Sequence, residues 1–538
     1  MYITLQMLFF ILVVLMNTLK GDIFTSVYKL SILAREEGHL LQGFKSYIDC
    51  KTEVGEQITF ELQRLFSDLE SVVSDSSSNP SYAENPINSF HLIGRFVYKW
   101  PAVYIHIFCE GCVQDHCASD LNKTFDMVSA NILNWPNEID VRHTAEAILR
   151  LRVFYYFDIG ELIDGTLFGE VVLPLSPSQV IKIIEIAVYH YMFNEAKLWC
   201  ETLLPKIHFS SHLDERMNWY TVLRLLAGIY NKAGMPGWAA ETLQSLTQKG
   251  IFDIDLEYAY YKNQSQSSED KKEIDLAEWE YDSTYKQLCR ENGKSSAELS
   301  ELYCHYSSTT IPYYKGKVEV VNLNPKIVLF HDVLSDTDIL YFQNLSGEKF
   351  KRSEVVGENG VPTVDSVRVS QTAWINDSPG VVQKAANRVG LLTGLNTKST
   401  EKPTNVEAFQ IVNYGIGGMY HPHYDSLDLN DEKDNKSTDT KKGADSDEFR
   451  GSGDRIATWI YYLNDVHVGG ATVFPNVNTR VPVVKGGAAF WYNLLPSGQK
   501  DKRTLHAGCP VVIGSKWIGN KWIRENGQMF RRPCDLQP

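Results

Sequence analysis

The sequence predicts an α+β multidomain chain: an N-terminal helical, coiled-coil-like region, a tetratricopeptide-like α domain, and a C-terminal double-stranded β-helix, or jelly roll. Three observations carry this. Apolar residues recur at helical spacing at Leu30, Leu33, Leu40, Leu41, Phe44, Tyr47 and Ile48, and again at Ile58, Leu62, Leu65, Leu69 and Val72. From about residue 140 to 261, short helical patterns follow one another with short turns between them. From Val318, and most densely from Val406, β-branched and aromatic runs alternate with glycine turns, as an antiparallel sandwich requires. A chain of 538 residues also exceeds what one hydrophobic core serves.

In chain order, residues 1–21 read as a signal peptide. The apolar run Met7–Met16 is too short to span a bilayer comfortably. Lys20 and Asp22 follow it closely, which places cleavage near Gly21. No other stretch is long and apolar enough for a membrane span. Residues 22–135 form the N-terminal helical region. Its apolar stripe must bury itself in a helix pair in cis or against another copy of the chain, so self-association is one of two readings. Ser74–Pro86, rich in Ser, Asn and Pro, reads as a linker.

Residues 136–262 form the tetratricopeptide-like domain. Helices are expected over Thr144–Arg152, Ser176–Ala187, Tyr189–Leu204, Met217–Ala233 and Trp238–Gln248, with Ala239, Ala240 and Leu243 at close-packing positions. Tyr189, Tyr191, Tyr220 and Tyr230 either line a groove for an extended peptide or pack between helices. Residues 263–317 read as a polar linker with a local disulfide, and residues 318–538 as the strand-rich C-terminal domain. Inside the latter, Leu427–Gly453 is a long charged loop.

The net charge of -14 argues against a general nucleic-acid binder, whose footprint is basic. Nine cysteines fit an oxidising compartment. Cys289 and Cys304 bracket one short segment and Cys509 and Cys534 another, and both pairs read as local staples. Cys109, Cys112 and Cys117, with His116 among them, read as disulfide partners or as a zinc knuckle short of a fourth ligand. Asn-x-Ser/Thr sequons at Asn122, Asn263, Asn344, Asn376 and Asn435 fit a secreted glycoprotein.

The chemistry concentrates between Tyr414 and Asp425. His423 and Asp425 are two residues apart, so in an extended strand their side chains leave the same face. One further histidine completes a 2-His-1-carboxylate face, the non-haem Fe(II) arrangement with open positions. His506 stands in a suitable place. Such a face leaves room for a chelating 2-oxo acid and for oxygen. Lys516 lies ten residues beyond His506. A lysine directed into a barrel is costly unless it meets an anion, and the distal carboxylate of 2-oxoglutarate would be that anion. Tyr414 could donate its hydroxyl to the same group. Gly415, Gly417, Gly418 and Pro422 shape the approach to the pair.

The run Asn413-Tyr414-Gly415-x-Gly417-Gly418-x-Tyr420-x-Pro422-His423-x-Asp425 resembles the catalytic domain of prolyl 4-hydroxylase alpha subunits. So do Arg455-Ile456-Ala457-Thr458-Trp459, Gly469-Gly470-Ala471-Thr472-Val473-Phe474-Pro475, His506-Ala507-Gly508-Cys509-Pro510-Val511 and Lys516-Trp517-x-x-Asn520-Lys521-Trp522. The resemblance is specific over about Val318–Cys534 and weaker before it. It implies an enzyme using Fe(II), 2-oxoglutarate, oxygen and L-ascorbate to hydroxylate peptidyl proline of procollagen at C4 in the endoplasmic reticulum lumen. It implies protein disulfide isomerase as partner, dimerisation through residues 22–135, and a Pro-rich protein substrate on residues 136–262. By the family's motif, His423, Asp425 and His506 bind iron and Lys516 binds 2-oxoglutarate, while Cys289–Cys304 and Cys509–Cys534 are disulfides. Phe193, Asn194 and Ala227 depart from the pattern of groove aromatics. Two alternatives follow: the same chemistry on a non-collagen secreted protein, or a non-catalytic partner subunit of the same fold.

Overall fold

The computed structural model describes residues 23–108, 116–132, 134–207, 213–247, 255–267, 271, 282–356, 362–378, 380–399, 404–427 and 451–535. The leader, Cys109, Cys112, Asn435 and most of the Leu427–Gly453 loop lie outside them. No helix among the described residues is long and apolar enough to cross a membrane. The chain divides into two compact units. The first ends at Phe24, resumes at Ser31 and runs to Tyr281; the second joins Thr25–Leu30 to everything from Asp282 onward.

The first unit is helical. The apolar stripe of Val27–Glu53 packs in cis against Phe60–Ser78: Leu33, Leu40 and Phe44 are fully buried, and Phe44 meets Phe66 edge-on at 5.4 Å. The segment expected as a linker is ordered instead. The helix runs on to Ser78, and Tyr82 and Ala83 are buried. Its serines are satisfied locally: the Ser74 and Ser78 hydroxyls donate back to the Glu70 and Ser74 carbonyls. The Ser76 hydroxyl donates to Glu37. That buried carboxylate also accepts two hydrogen bonds of 2.7 Å from Arg95 and one of 3.0 Å from Trp100. Cys117 pairs with Cys50 across 67 residues.

Further along, capping boxes start Glu138–Tyr155 at Asn137 and Pro177–Tyr189 at Ser176. The single helix expected over Tyr189–Leu204 is broken. Tyr189 ends one helix, Tyr191 takes a left-handed φ of 59°, and a new helix begins at Phe193. Tyr189 and Tyr191 are thereby left 70% and 71% exposed, whereas Tyr230 is buried and packs on Trp238. Ala227 is also fully buried.

The second unit is a sandwich. Its nine-stranded sheet runs, in spatial order, Cys304–Ser308, Lys315–Asn322, Ile327–His331, Ala488–Tyr492, Arg455–Tyr462, Lys516–Arg524, Phe409–Tyr414, Gln371–Ile375 and Lys351–Arg352. The edge strand Cys304–Ser308 falls inside the segment read as a linker. The four-stranded sheet runs Tyr420–His423, His506–Gly508, Thr472–Phe474 and Thr479–Val481. The strand expected over His506–Val512 is split at Pro510, which has no N–H for the ladder.

Alternation along the strands sends residues to two cores. Ile411, Trp459 and Tyr461 pack with Phe342, Val382 and Ala386 of the helices Asp336–Gly347 and Val381–Thr393. Val412, Tyr414, Ile460 and Ile518 face the other way, toward Phe474, Val481 and Trp491.

The two local staples are not formed. Cys289 bonds Cys509, with Cα atoms 5.5 Å apart, and Cys304 and Cys534 are exposed thiols. The helix Ser283–Arg290 carries Cys289 inward, where the Tyr285 hydroxyl donates to the Gly508 carbonyl at 2.8 Å, while Cys304 starts the edge strand. Nearness in sequence was a poor guide to nearness in space. Peptide mapping without reduction is expected to recover the Cys289 and Cys509 peptides crosslinked, and a Cys289–Cys304 crosslink would contradict this pairing.

Candidate active site

The short strands Tyr420–His423 and His506–Gly508 are antiparallel neighbours, and their register sets His423 directly opposite His506. Cross-strand partners are the closest side chains a sheet offers, and the two imidazole centres lie 4.3 Å apart. Asp425 follows just beyond the strand end and is buried. Its Oδ1 is 3.8 Å from His423 Nε2 and its Oδ2 is 3.6 Å from His506 Nε2. One ligand atom from each of the three lies within 4.8 Å of the others.

The approach to His423 depends on glycine at two points. Gly417 takes a φ of +57°, and a Cβ on Gly418 would sit 2.9 Å from the Gly415 backbone. The turn is pinned by hydrogen bonds from Gly417 N–H to the Val511 carbonyl and from Val511 N–H to the Gly418 carbonyl.

The donor chemistry fits a divalent metal. His423 Nδ1 is 2.7 Å from the His421 carbonyl and His506 Nδ1 is 3.0 Å from the Thr504 carbonyl. Each Nδ1 therefore carries the proton and donates it, leaving the Nε2 lone pair free. Burial, followed by the neighbouring His506, pushes the His423 imidazolium down to about 3, so the ring is neutral. Burial works to raise the Asp425 carboxyl, but the two imidazoles, Arg455 and a 2.7 Å hydrogen bond from Thr458 outweigh it and hold it at about 2.

These three residues open onto a cavity of about 980 Å³ whose lining includes Lys516, Tyr414, Thr472 and Arg368. Lys516 projects inward from the strand beside Tyr414, its register partner, and is buried. Its ammonium donates to the Thr472 hydroxyl at 3.3 Å and lies over the Tyr414 and Tyr462 rings at 5.6 and 5.9 Å. No carboxylate among the described residues neutralises it. Burial alone pulls its pKa down to about 7. A desolvated cation facing a cavity is what an anionic ligand needs. Burial pushes the Tyr414 phenol up to about 12, so it is a hydroxyl donor throughout the physiological range.

Sequence reading missed several cavity residues. Arg368 stacks on Tyr420 at 4.8 Å and donates to Gln410 at 3.0 Å, with its Nε buried and unpaired. Arg455 forks onto Glu407 at 2.7 and 2.8 Å and lies 3.7 Å over the Trp522 ring. The one available signal was a charged residue inside an apolar strand pattern, as in Val367-Arg368-Val369, and that does not reveal which partner it meets.

A family model described as the 2OG-Fe(II) oxygenase superfamily matches residues 409–524, the stretch that carries the site. The chain is a 2-oxoglutarate- and iron-dependent dioxygenase. A second model, the N-terminal region of the prolyl 4-hydroxylase alpha-subunit, matches residues 26–169. Prolyl 4-hydroxylase subunit alpha-1 of Rattus norvegicus is 30% identical over 95% of this chain and 95% of its own length. Subunit alpha-3 of Bos taurus is 30% identical over 96% and 95%. A viral collagen prolyl hydroxylase from Paramecium Bursaria Chlorella virus-1 aligns with 37% of this chain and 95% of its own, at 28% identity and a TM-score of 0.27. This chain belongs to the prolyl 4-hydroxylase alpha-subunit family.

A buried, uncompensated Lys516 should cost stability when no ligand is bound. The unfolded chain keeps the proton up to about pH 10.4, whereas the folded chain sheds it near 7. The penalty is full below pH 7 and fades as pH rises toward 10. Lys516→Met is therefore expected to stabilise the ligand-free protein at pH 7 by about 1–2 kcal/mol, with a smaller gain near pH 10. It should also abolish 2-oxoglutarate binding. Thermal melts at both pH values and a binding titration check it.

Proposed function

We propose that this chain hydroxylates peptidyl proline at C4 in a collagen-type protein, working in the endoplasmic reticulum lumen with Fe(II), 2-oxoglutarate, oxygen and L-ascorbate. One observation carries the reading: two imidazoles and a carboxylate converge in the same cavity as a buried lysine that no carboxylate of the described residues neutralises. In this assignment His423, Asp425 and His506 hold the iron. Lys516 takes the far carboxylate of 2-oxoglutarate, with the Thr472 and Tyr414 hydroxyls as neutral donors beside it. Iron so held, together with 2-oxoglutarate, supplies the oxygen-activating chemistry. The protein's own part is to keep the His423 imidazole neutral, to aim both Nε2 atoms, to keep the carboxylate ionised, and to line the cavity around the reacting centre.

The remaining assignments extend the same reading. Residues 136–262 receive the substrate peptide, and the exposed Tyr189 and Tyr191 support a role for aromatic rings in that contact. Names of relatives as "subunit alpha" support a multisubunit assembly. Protein disulfide isomerase is the partner we assign, with self-association through residues 22–135. Signal cleavage near Gly21 and glycosylation at exposed sequons such as Asn376 belong to the same lumenal picture.

Single substitutions His423→Ala, Asp425→Ala and His506→Ala are each expected to lower turnover by more than about 100-fold. The assay follows 2-oxoglutarate decarboxylation coupled to hydroxyproline formation on Pro-rich peptides with and without Gly after Pro. Near-normal turnover in any of the three would overturn the ligand assignment. Equal activity on peptides lacking Gly would move the substrate away from collagen. Absence of turnover in the wild-type complex on every peptide would point to a non-catalytic subunit.

A further inference from the structure

Residues Thr25–Leu30 lie far upstream of the catalytic unit in sequence and yet fold as part of it. Thr25 and Ser26 are fully buried. The Thr25 carbonyl accepts a hydrogen bond from the Gly415 N–H at 3.0 Å. The Thr25 hydroxyl accepts one from Gln371 Nε2 at 2.9 Å. The Ser26 hydroxyl donates to Asn413 Oδ1 at 2.7 Å. Tyr28 then sets its ring edge-on against Trp517, at 5.9 Å and 89°, and 6.5 Å from Phe350. A Cβ on Gly347 would come within 2.7 Å of the Tyr28 hydroxyl, so glycine there leaves the notch in which this ring sits.

These contacts fall on one row of the main sheet. Gln371, Asn413 and Trp517 are register partners across three adjacent strands. The next residues along two of those strands are Tyr414 and Lys516, which are also register partners. Successive strand residues face opposite sides of a sheet. Thr25–Tyr28 therefore grips the back of the wall whose front holds the lysine and the tyrosine, and it also holds Gly415, where the turn toward His423 begins.

We propose that Thr25–Tyr28 is a positioning strap for the 2-oxoglutarate end of the site, with Ser26 as its principal positioning residue. The proposal rests on the assignment of Lys516 to 2-oxoglutarate. Without the Ser26 hydroxyl, the buried Asn413 Oδ1 loses its donor, and the end of the Phe409–Tyr414 strand loses one of its fixings. The effect falls on the co-substrate because Tyr414 and Lys516 are the next row. Thr25 and Ser26 are buried, so a peptide substrate is not expected to reach this face.

The test uses the full chain with any subunit that co-purifies, in four variants: Ser26→Ala, Ser26→Thr, Tyr28→Leu and Lys516→Ala. Calorimetric titration of the Mn(II)-loaded protein with 2-oxoglutarate is run beside steady-state kinetics. Ser26→Ala is expected to weaken 2-oxoglutarate binding and raise its KM by about fivefold, with kcat and peptide KM changed by less than about twofold. Ser26→Thr restores both, and Tyr28→Leu shifts them in the same direction as Ser26→Ala. Unchanged 2-oxoglutarate affinity in both Ser26→Ala and Tyr28→Leu overturns the strap, as does an equal rise in both KM values. If Ser26→Ala does not fold, Tyr28→Leu decides alone. Lost binding in Lys516→Ala with none of the strap effects overturns the strap only. Full 2-oxoglutarate affinity in Lys516→Ala overturns the anchor assignment, and the strap falls with it.

Discussion

The second unit is built around one costly arrangement: the Lys516 ammonium, buried on the inner face of an antiparallel sheet with a threonine hydroxyl and two tyrosine rings for company. An isolated buried cation is among the least favourable things a protein interior can hold. It persists because the surrounding structure over-determines it. The strand Lys516–Arg524 is paired on both sides, with Arg455–Tyr462 and Phe409–Tyr414. Its neighbours Trp517 and Ile518 are locked into opposite cores. The ladder fixes the backbone on both sides of the lysine, and its side chain stays buried on the inner face.

The metal-binding end is braced in the same spirit. Each histidine is oriented by a backbone carbonyl two residues before it, His421 for His423 and Thr504 for His506. Asp425 is tied to Thr458, which also lies within hydrogen-bonding distance of Asn493. Behind Asp425 a second buried carboxylate, Glu407, is shared between Arg455 and Arg524. Burial works to raise Glu407, and the two guanidiniums outweigh it, so it stays ionised. The Cys289–Cys509 bond fixes the chain three residues beyond His506. Each of the three metal-suited side chains thus has a protein partner that holds its orientation.

The iron-binding constellation was legible in the sequence for a simple reason. The spacing of His423 and Asp425 is local, and period-two geometry turns local spacing into a shared direction. Lys516 was legible through its place ten residues beyond His506, on a strand where a lysine directed inward is costly unless it meets an anion. The disulfides were not legible. Cys289 meets Cys509 only after the sandwich closes, and chain proximity favoured the wrong pairs. The serine-rich segment after Val73 read as a linker on composition, yet its hydroxyls are satisfied by the helix's own carbonyls and by Glu37. Composition does not record where a hydroxyl finds its acceptor.

By itself the sequence determined the helical and strand periodicities, the two histidines and the carboxylate suited to a metal, and the lysine suited to an anion. These depend on residue type and short spacing. Tertiary structure alone decided which histidine faces which across the small sheet, that Arg368 and Arg455 join the cavity, and that Thr25–Leu30 completes the catalytic unit. Each of those joins residues whose separation along the chain carries no information about their distance in space until the strands have chosen their register.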